Sequence, residues 1–178
     1  MEVYINYDIL TGIIYAWSSS PLSEHDIMVD VDSESNFLLE PSKYKVVNNE
    51  LVEDLSYLIQ YVKEAKEKEF KANCDNAILS GFYHTIDGIE YHFSFDFEAQ
   101  LNFQGSERLL SSGVVPSILW TVSVNGSYTR IPIDNTIMQE LTLEILMHKT
   151  KNIGKFRDIL MPKVYAATTL EELEAITW

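Results

Sequence analysis

Hydrophobic and polar positions change their rhythm twice along the chain. Over the first fifty residues the period is two: Val3, Ile5 and Tyr7 alternate with polar neighbours, Thr11-Gly12 interrupts, and Ile13 to Trp17 is β-branched and aromatic. This pattern predicts an antiparallel hairpin, with Ile27 to Val31 as a third strand. Tyr44 to Val47 and Glu50 to Val52 predict a second short hairpin around an Asn48-Asn49 turn. From Asp54 to Leu79 the spacing becomes helical. Leu55, Leu58, Ile59, Val62, Ala65, Ala72, Ala77 and Ile78 trace an apolar stripe, Asp54 is placed to cap it, and Gly81 to stop it. Glu69 and the small residues after it spoil a continued coiled-coil seam, so the stripe predicts a helix packed on a sheet.

The period then returns to two. An Asp87-Gly88 turn sets Ile86 opposite Ile89, His84 opposite Tyr91 and Phe82 opposite Phe93, an apolar face expected to continue through Phe95 and Phe97. Tyr83, Thr85, Glu90, His92, Ser94 and Asp96 fall on the other face. An Asn125-Gly126 turn puts Trp120 opposite Ile131, with Val122 and Val124 on the side of Trp120. Between the hairpins, residues 97–113 read as a helix or an ordered loop. A second amphipathic helix is expected over 134–151, capped by Asp134 or by Thr136 in a box with Gln139, and carrying Ile137, Leu141, Ile145 and His148 on one stripe. Gly154 and Pro162 are expected to break the chain beyond that helix into shorter pieces, and Thr168 to Ile176 carries overlapping capping boxes of a short terminal helix. The fold class is therefore α+β: a small N-terminal antiparallel β subdomain (1–50), then a long amphipathic helix, two β-hairpins in an antiparallel sheet and C-terminal helices (51–178).

Composition narrows function mainly by exclusion. Lys and Arg number 13 against 27 Asp and Glu, a net charge of −14, which repels phosphates and anionic lipid. Neither nucleic acid nor membrane is an expected partner. The dense basic positions, Lys63, Lys66, Lys68 and Lys71, alternate with Glu64, Glu67 and Glu69 and read as a solvated helix face. No apolar run is long enough for a membrane span, and the N-terminus lacks the basic region and apolar core of a signal peptide, so neither insertion nor secretion is expected. Asn125-Gly126-Ser127 matches a glycosylation sequon, which without such a signal is only a turn.

Candidate chemistry is sparse. His25, His84, His92 and His148 make no metal-ligand spacing, and no metal or cofactor is expected. The run from Asp30 begins like a calcium loop but has Ser35 where glycine is needed and Pro41 where the bidentate glutamate belongs. No phosphate cradle, nucleophile elbow or dinucleotide fingerprint is present. Cys74, beside Asp75 late in the long helix, reads as a buried structural thiol. His84, on the apolar hairpin face, reads as a core residue bonded to a carbonyl or hydroxyl. Tyr83, His92, Glu90 and Asp96 share the polar face, either as ordinary cross-strand pairs or as the elements of a hydrolytic or sugar-binding site.

Several features in fixed order carry a family resemblance over residues 54–178. They are the charged helix ending in Ile78-Leu79-Ser80-Gly81-Phe82, the Asp87-Gly88 hairpin continuing into Tyr91-His92-Phe93-Ser94-Phe95-Asp96, and Gln100-Leu101-Asn102-Phe103. After them come Leu119-Trp120 with the Asn125-Gly126 turn, the helix with His148, and Ala166-Ala167-Thr168-Thr169-Leu170-Glu171-Glu172-Leu173. Together they resemble a domain-of-unknown-function family found in bacteriophage tail and tail-fibre gene regions, and the first fifty residues resemble the β-rich heads that precede such domains. The resemblance implies a non-enzymatic phage or prophage protein of the virion tail, present in the host cytoplasm during assembly. It would be a baseplate component or fibre adaptor that docks on other tail or fibre proteins. The alternative is an assembly chaperone absent from the finished particle. Candidate partner anchors are Tyr4, Tyr15 and Trp17 in the head, of which Trp17 is also suited to the head's own core. Leu55, Ile59 and Val62 of the helix stripe would mask a partner or join copies of the chain in a homo-oligomer.

Overall fold

A computed structural model describes residues 1–178 and shows an α+β protein. The chain divides into two compact units, Met1–Ala65 with Ala167–Glu174, and Lys66–Ala166 with Ala175–Trp178.

The first unit begins with an antiparallel sheet of order β2-β1-β3, formed by β1 (Glu2–Tyr7), β2 (Ile14–Ser18) and β3 (Ile27–Asp30). Alternation in β1 drives Val3 and Ile5 inward, where Val31, Phe37 and Val46 join them as a fully packed cluster. Phe37 reaches it from a one-turn helix, α1 (Asn36–Leu39), whose start is fixed by the Ser35 side chain accepting from the Phe37 N–H. The hairpin of β4 (Tyr44–Val47) and β5 (Glu50–Glu53) turns at Asn48 and Asn49, both at positive φ (52° and 64°), as a two-residue type I′ turn demands. α6 (Leu170–Glu174) closes the unit with a reciprocal box: Thr169 Oγ1 accepts from the Glu172 N–H, and Glu172 Oε2 accepts from the Thr168 and Thr169 N–H groups.

α2 (Leu55–Leu79) starts where Asp54 Oδ1 accepts from the Ser56 N–H. Its buried row differs from the expected stripe. Phe70 and Cys74 are its most buried members, while Ala65 and Ala72 face solvent. Lys66 is also no part of a solvated face. It lies in the four-residue row that contains Phe70, its amine 5.5 Å from the Phe70 ring and donating to the Ile176 carbonyl at 2.9 Å. Phe70 also meets the Trp178 ring.

The second unit holds the sheet β6-β7-β8-β9, from β6 (Phe82–Ile86), β7 (Ile89–Phe93), β8 (Ser117–Val124) and β9 (Ser127–Asp134). Both hairpin registers are as the turns dictate, Phe82 opposite Phe93 and Trp120 opposite Ile131, with positive φ at Asp87, Gly88, Asn125 and Gly126. β7 and β8 are registered at His92 and Ser123. One face packs Phe82, Phe93, Phe95, Val122 and Ile133 against Phe103 and Leu110 of α3 (Phe97–Ser111) and Met138 and Leu141 of α4 (Asn135–Gly154). Phe97 does not continue the apolar face: Asp96 Oδ1 accepts from the Ala99 N–H, the strand gives way to a helix, and Phe97 points into water. Asp134, not Thr136, caps α4 by accepting from the Ile137 N–H. Pro132 sits in β9, an edge strand. Counting outward from the bonded pair Val124–Ser127, its pair with Leu119 is a non-bonded one, so its nitrogen faces away from β8.

Gly154 and Pro162 do not break the chain. α4 passes into a π-helical turn (Lys155–Leu160) and then α5 (Met161–Ala166). Pro162 has no N–H to give to the carbonyl four residues back and its ring crowds that carbonyl; the wider π turn immediately before it relieves both conflicts. No helix is long and apolar enough to cross a membrane.

Candidate functional site

The most distinctive surface of the first unit is the connection between β1 and β2. Asp8 Oδ1 accepts from the Leu10 N–H (2.9 Å), the Thr11 N–H (2.8 Å) and the Thr11 hydroxyl (2.9 Å), while Oδ2 accepts from the Tyr15 hydroxyl (3.0 Å). This Asx-type arrangement fixes the loop through a single carboxylate. Those donors hold the Asp8 carboxyl below its usual range, the Thr11 N–H foremost, and the bond to Asp8 in turn raises Tyr15. Gly12, at φ +76°, then turns the chain against β4. Its carbonyl accepts from the Val46 N–H, and an added Cβ would fall 2.3 Å from the Val46 carbonyl oxygen.

The result is a rigid knuckle that displays apolar side chains. Leu10 is 95% exposed, and Ile9, Ile13 and Tyr15 (67%) are exposed beside it in the chain. Of the three aromatic anchors expected in the head, only Tyr15 belongs to this knuckle. Tyr4 is cross-strand from Ser18 and Met28, on the opposite sheet face from Val3 and Ile5. Trp17 is cross-strand from Ile5 and its ring lies 6.3 Å from Phe37, so one side of it meets the head's core while 36% of the residue remains exposed. On the helix stripe, Leu55 is exposed and Ile59 and Val62 are half-buried. Ile9, Leu10 and Ile13 were not singled out from the sequence. The available signal was Asp8-x-x-Thr11-Gly12, a side-chain-locked turn occupied by isoleucine and leucine where polar residues are usual.

The polar sheet face of the second unit brings together three of its four expected residues. Tyr83 and His92 are cross-strand partners with rings 4.9 Å apart, and with Glu90 and Ser123 they line a groove of about 580 Å³ beside the two hairpin turns. Asp96 is not among them, being committed to the α3 cap. His92 Nε2 is 2.9 Å from the Ser80 carbonyl. Because a carbonyl only accepts, Nε2 is the donor in that contact. Gly81 makes this contact achievable: at φ +94°, a Cβ on it would stand 2.8 Å from His92 Nε2 and 2.2 Å from the Phe93 carbonyl oxygen.

Two further histidines lie half-buried in the second unit. His84 is half-buried, on the side its register requires, but it faces neither a carbonyl nor a hydroxyl. Nε2 lies 3.4 Å from Glu140 Oε2 without a hydrogen-bond partner, because its strand packs against α4 where that carboxylate projects. His148 Nε2 lies 3.2 Å from the Ile78 carbonyl. Cys74 is buried, and burial, then Asp75, pushes its thiol up. No group of three His, Cys, Asp or Glu side chains is placed to hold a metal ion.

Against this geometry, residues 61–177 match the model of the family DUF4376, a domain of unknown function, and the chain belongs to that family. The match begins within α2 and runs through the second unit to the penultimate residue. No curated protein and no solved structure matches the chain.

Proposed function

We propose that the protein is a non-enzymatic docking module, acting as a baseplate component or fibre adaptor of a phage or prophage tail. The observation that carries the docking role is the Asp8 knuckle. A leucine exposed over nearly its whole surface loses stabilisation in water, yet four hydrogen bonds to one carboxylate hold this one in place together with Tyr15. A backbone already fixed in this way loses little conformational entropy on binding, which favours the side chains it displays as interface anchors. The assignment to a tail rests on the family resemblance carried by residues 54–178. The chaperone alternative would use the α2 stripe, of which Leu55 is open and Ile59 and Val62 are half-buried.

The test is to purify particles of the parent phage and quantify this polypeptide against the tail-tube protein by mass spectrometry. A fixed copy number supports the reading, and Leu10→Asp should then remove the protein from particles without unfolding it. Absence from particles despite abundance in the lysate would overturn the structural role in favour of an assembly factor.

A further inference from the structure

We propose that α4 presents a self-complementary face on which a second copy of this chain docks antiparallel, about a two-fold axis passing close to Met147. Residues advance by about 100° along an α-helix, so α4 can be read as a set of faces. Met138 and Leu141, with Ile137 and Ile145, enter the core of the second unit. The opposite side is polar at Gln139 and Thr150 but not between them, unlike a helix that only covers a sheet. It carries Leu143 (58% exposed), Leu146 (61%) and Met147 (57%), three large apolar side chains in consecutive turns.

The charges beside this stripe identify what covers it. Glu140, Glu144 and Lys151 follow one flank, continued by Lys155 at the first position past the end of α4, acidic in the first half and basic in the second. Glu144 and Lys151 are equally distant in sequence from the point between Met147 and His148, and so are Glu140 and Lys155. In an antiparallel helix pair the same flank of each helix meets the other. A two-fold axis at that point therefore brings Glu144 against the second copy's Lys151, and Glu140 toward its Lys155, with each contact occurring twice. An isologous interface requires this reversal of sign across its centre, whereas an unrelated partner would not. Glu144 and Lys151 line one groove with Met147 and Tyr83. The outer members are already oriented within the chain, Glu140 beside His84 and Lys155 with its amine 4.4 Å from the Trp178 ring. The net charge of −14 does not oppose this contact locally, because between Glu140 and Lys155 three lysines face two glutamates.

A face of this length covers less than the roughly 800 Å² per partner of a standard stable interface, so the dimer should depend on concentration. Sedimentation velocity on the full chain over a wide concentration range should show a monomer–dimer equilibrium. Leu143→Glu should abolish the dimer, and Glu144→Lys or Lys151→Glu alone should weaken it at least tenfold. The double variant Glu144→Lys with Lys151→Glu should restore it, because the reversed pair again meets opposite charge. Leu143 and Lys151 are exposed and Glu144 is half-buried at a groove, so circular dichroism should report native folding throughout. A chain monomeric at every concentration overturns the proposal. So does a dimer indifferent to Leu143→Glu, or one that the double charge reversal fails to rescue.

Discussion

Gly81 can be tested against a neighbour that shares its backbone conformation but not its surroundings. Gly81→Ala imposes two costs. An L-residue at φ +94° sacrifices about 1–2 kcal/mol against its preferred conformations. The new Cβ must also displace the Phe93 carbonyl, 2.2 Å away, in a strand whose side chain is fully buried, and overpacking of this kind costs about 1–3 kcal/mol. Gly88→Ala, at φ +79° with nothing within 4 Å, imposes only the first. Gly81→Ala should therefore destabilise the protein by about 3 kcal/mol and Gly88→Ala by about 1, which at about 2–4 °C per kcal/mol separates their melting temperatures by roughly 4–8 °C. Thermal and urea unfolding followed by circular dichroism and tryptophan fluorescence reads this difference. Adding His92→Ala to Gly81→Ala should recover little, because the backbone carbonyl is closer than the imidazole. Equal melting temperatures for the two alanine variants would refute the steric account of Gly81.

Acid should weaken the first unit more than its exposed carboxylates alone imply. Asp8, Asp26 and Glu172 are all held below their unfolded values by hydrogen bonds, so their stabilisation is complete above the unfolded carboxylate range and is lost as pH falls through the lower folded values. Urea midpoints should drop between neutral pH and about pH 3, and Asp8→Asn with Asp26→Asn should flatten that slope. Phe93→Ala, removing a fully buried ring at the centre of the aromatic cluster, should cost about 3–5 kcal/mol by urea denaturation. Cys74, buried and with its thiol pushed up, should resist a thiol reagent at neutral pH until urea unfolds the chain; fast labelling of the native protein would contradict its placement. On the docking reading proposed above, the Tyr83–His92–Glu90 groove has no catalytic role, and His92→Ala with Glu90→Ala should leave every measurable function intact.

The legible parts of this fold are those written in local chemistry. Asn48-Asn49, Asp87-Gly88 and Asn125-Gly126 each specify a two-residue turn, and a two-residue turn specifies every cross-strand pair beyond it, so Phe82–Phe93 and Trp120–Ile131 are readable from the chain alone. Parts governed by distant partners were not legible. Lys66 looks like any charged helix residue until its amine donates a hydrogen bond to the carbonyl of Ile176, far along the chain. Phe70 was hidden between Glu69 and Lys71. Phe97 extends an alternating run, and only the Asp96 side chain turning to the Ala99 N–H ends the strand. Pro162 reads as a stop because sequence rules assume an α-helical bond pattern; the π turn keeps the chain helical by changing that pattern. The knuckle was half legible, through Tyr15, because exposure of Ile9 and Leu10 depends on where the first unit's core lies.

Pro132 sets a limit on polymerisation. Sheets grow into fibres when both outer strands offer unpaired amides, since each added strand then exposes a new sticky edge. Here the β9 side has a missing donor at its outward position, leaving β6 as the edge able to recruit another strand. A sheet with one receptive border and one border weakened at Pro132 favours a terminated pair over an open filament.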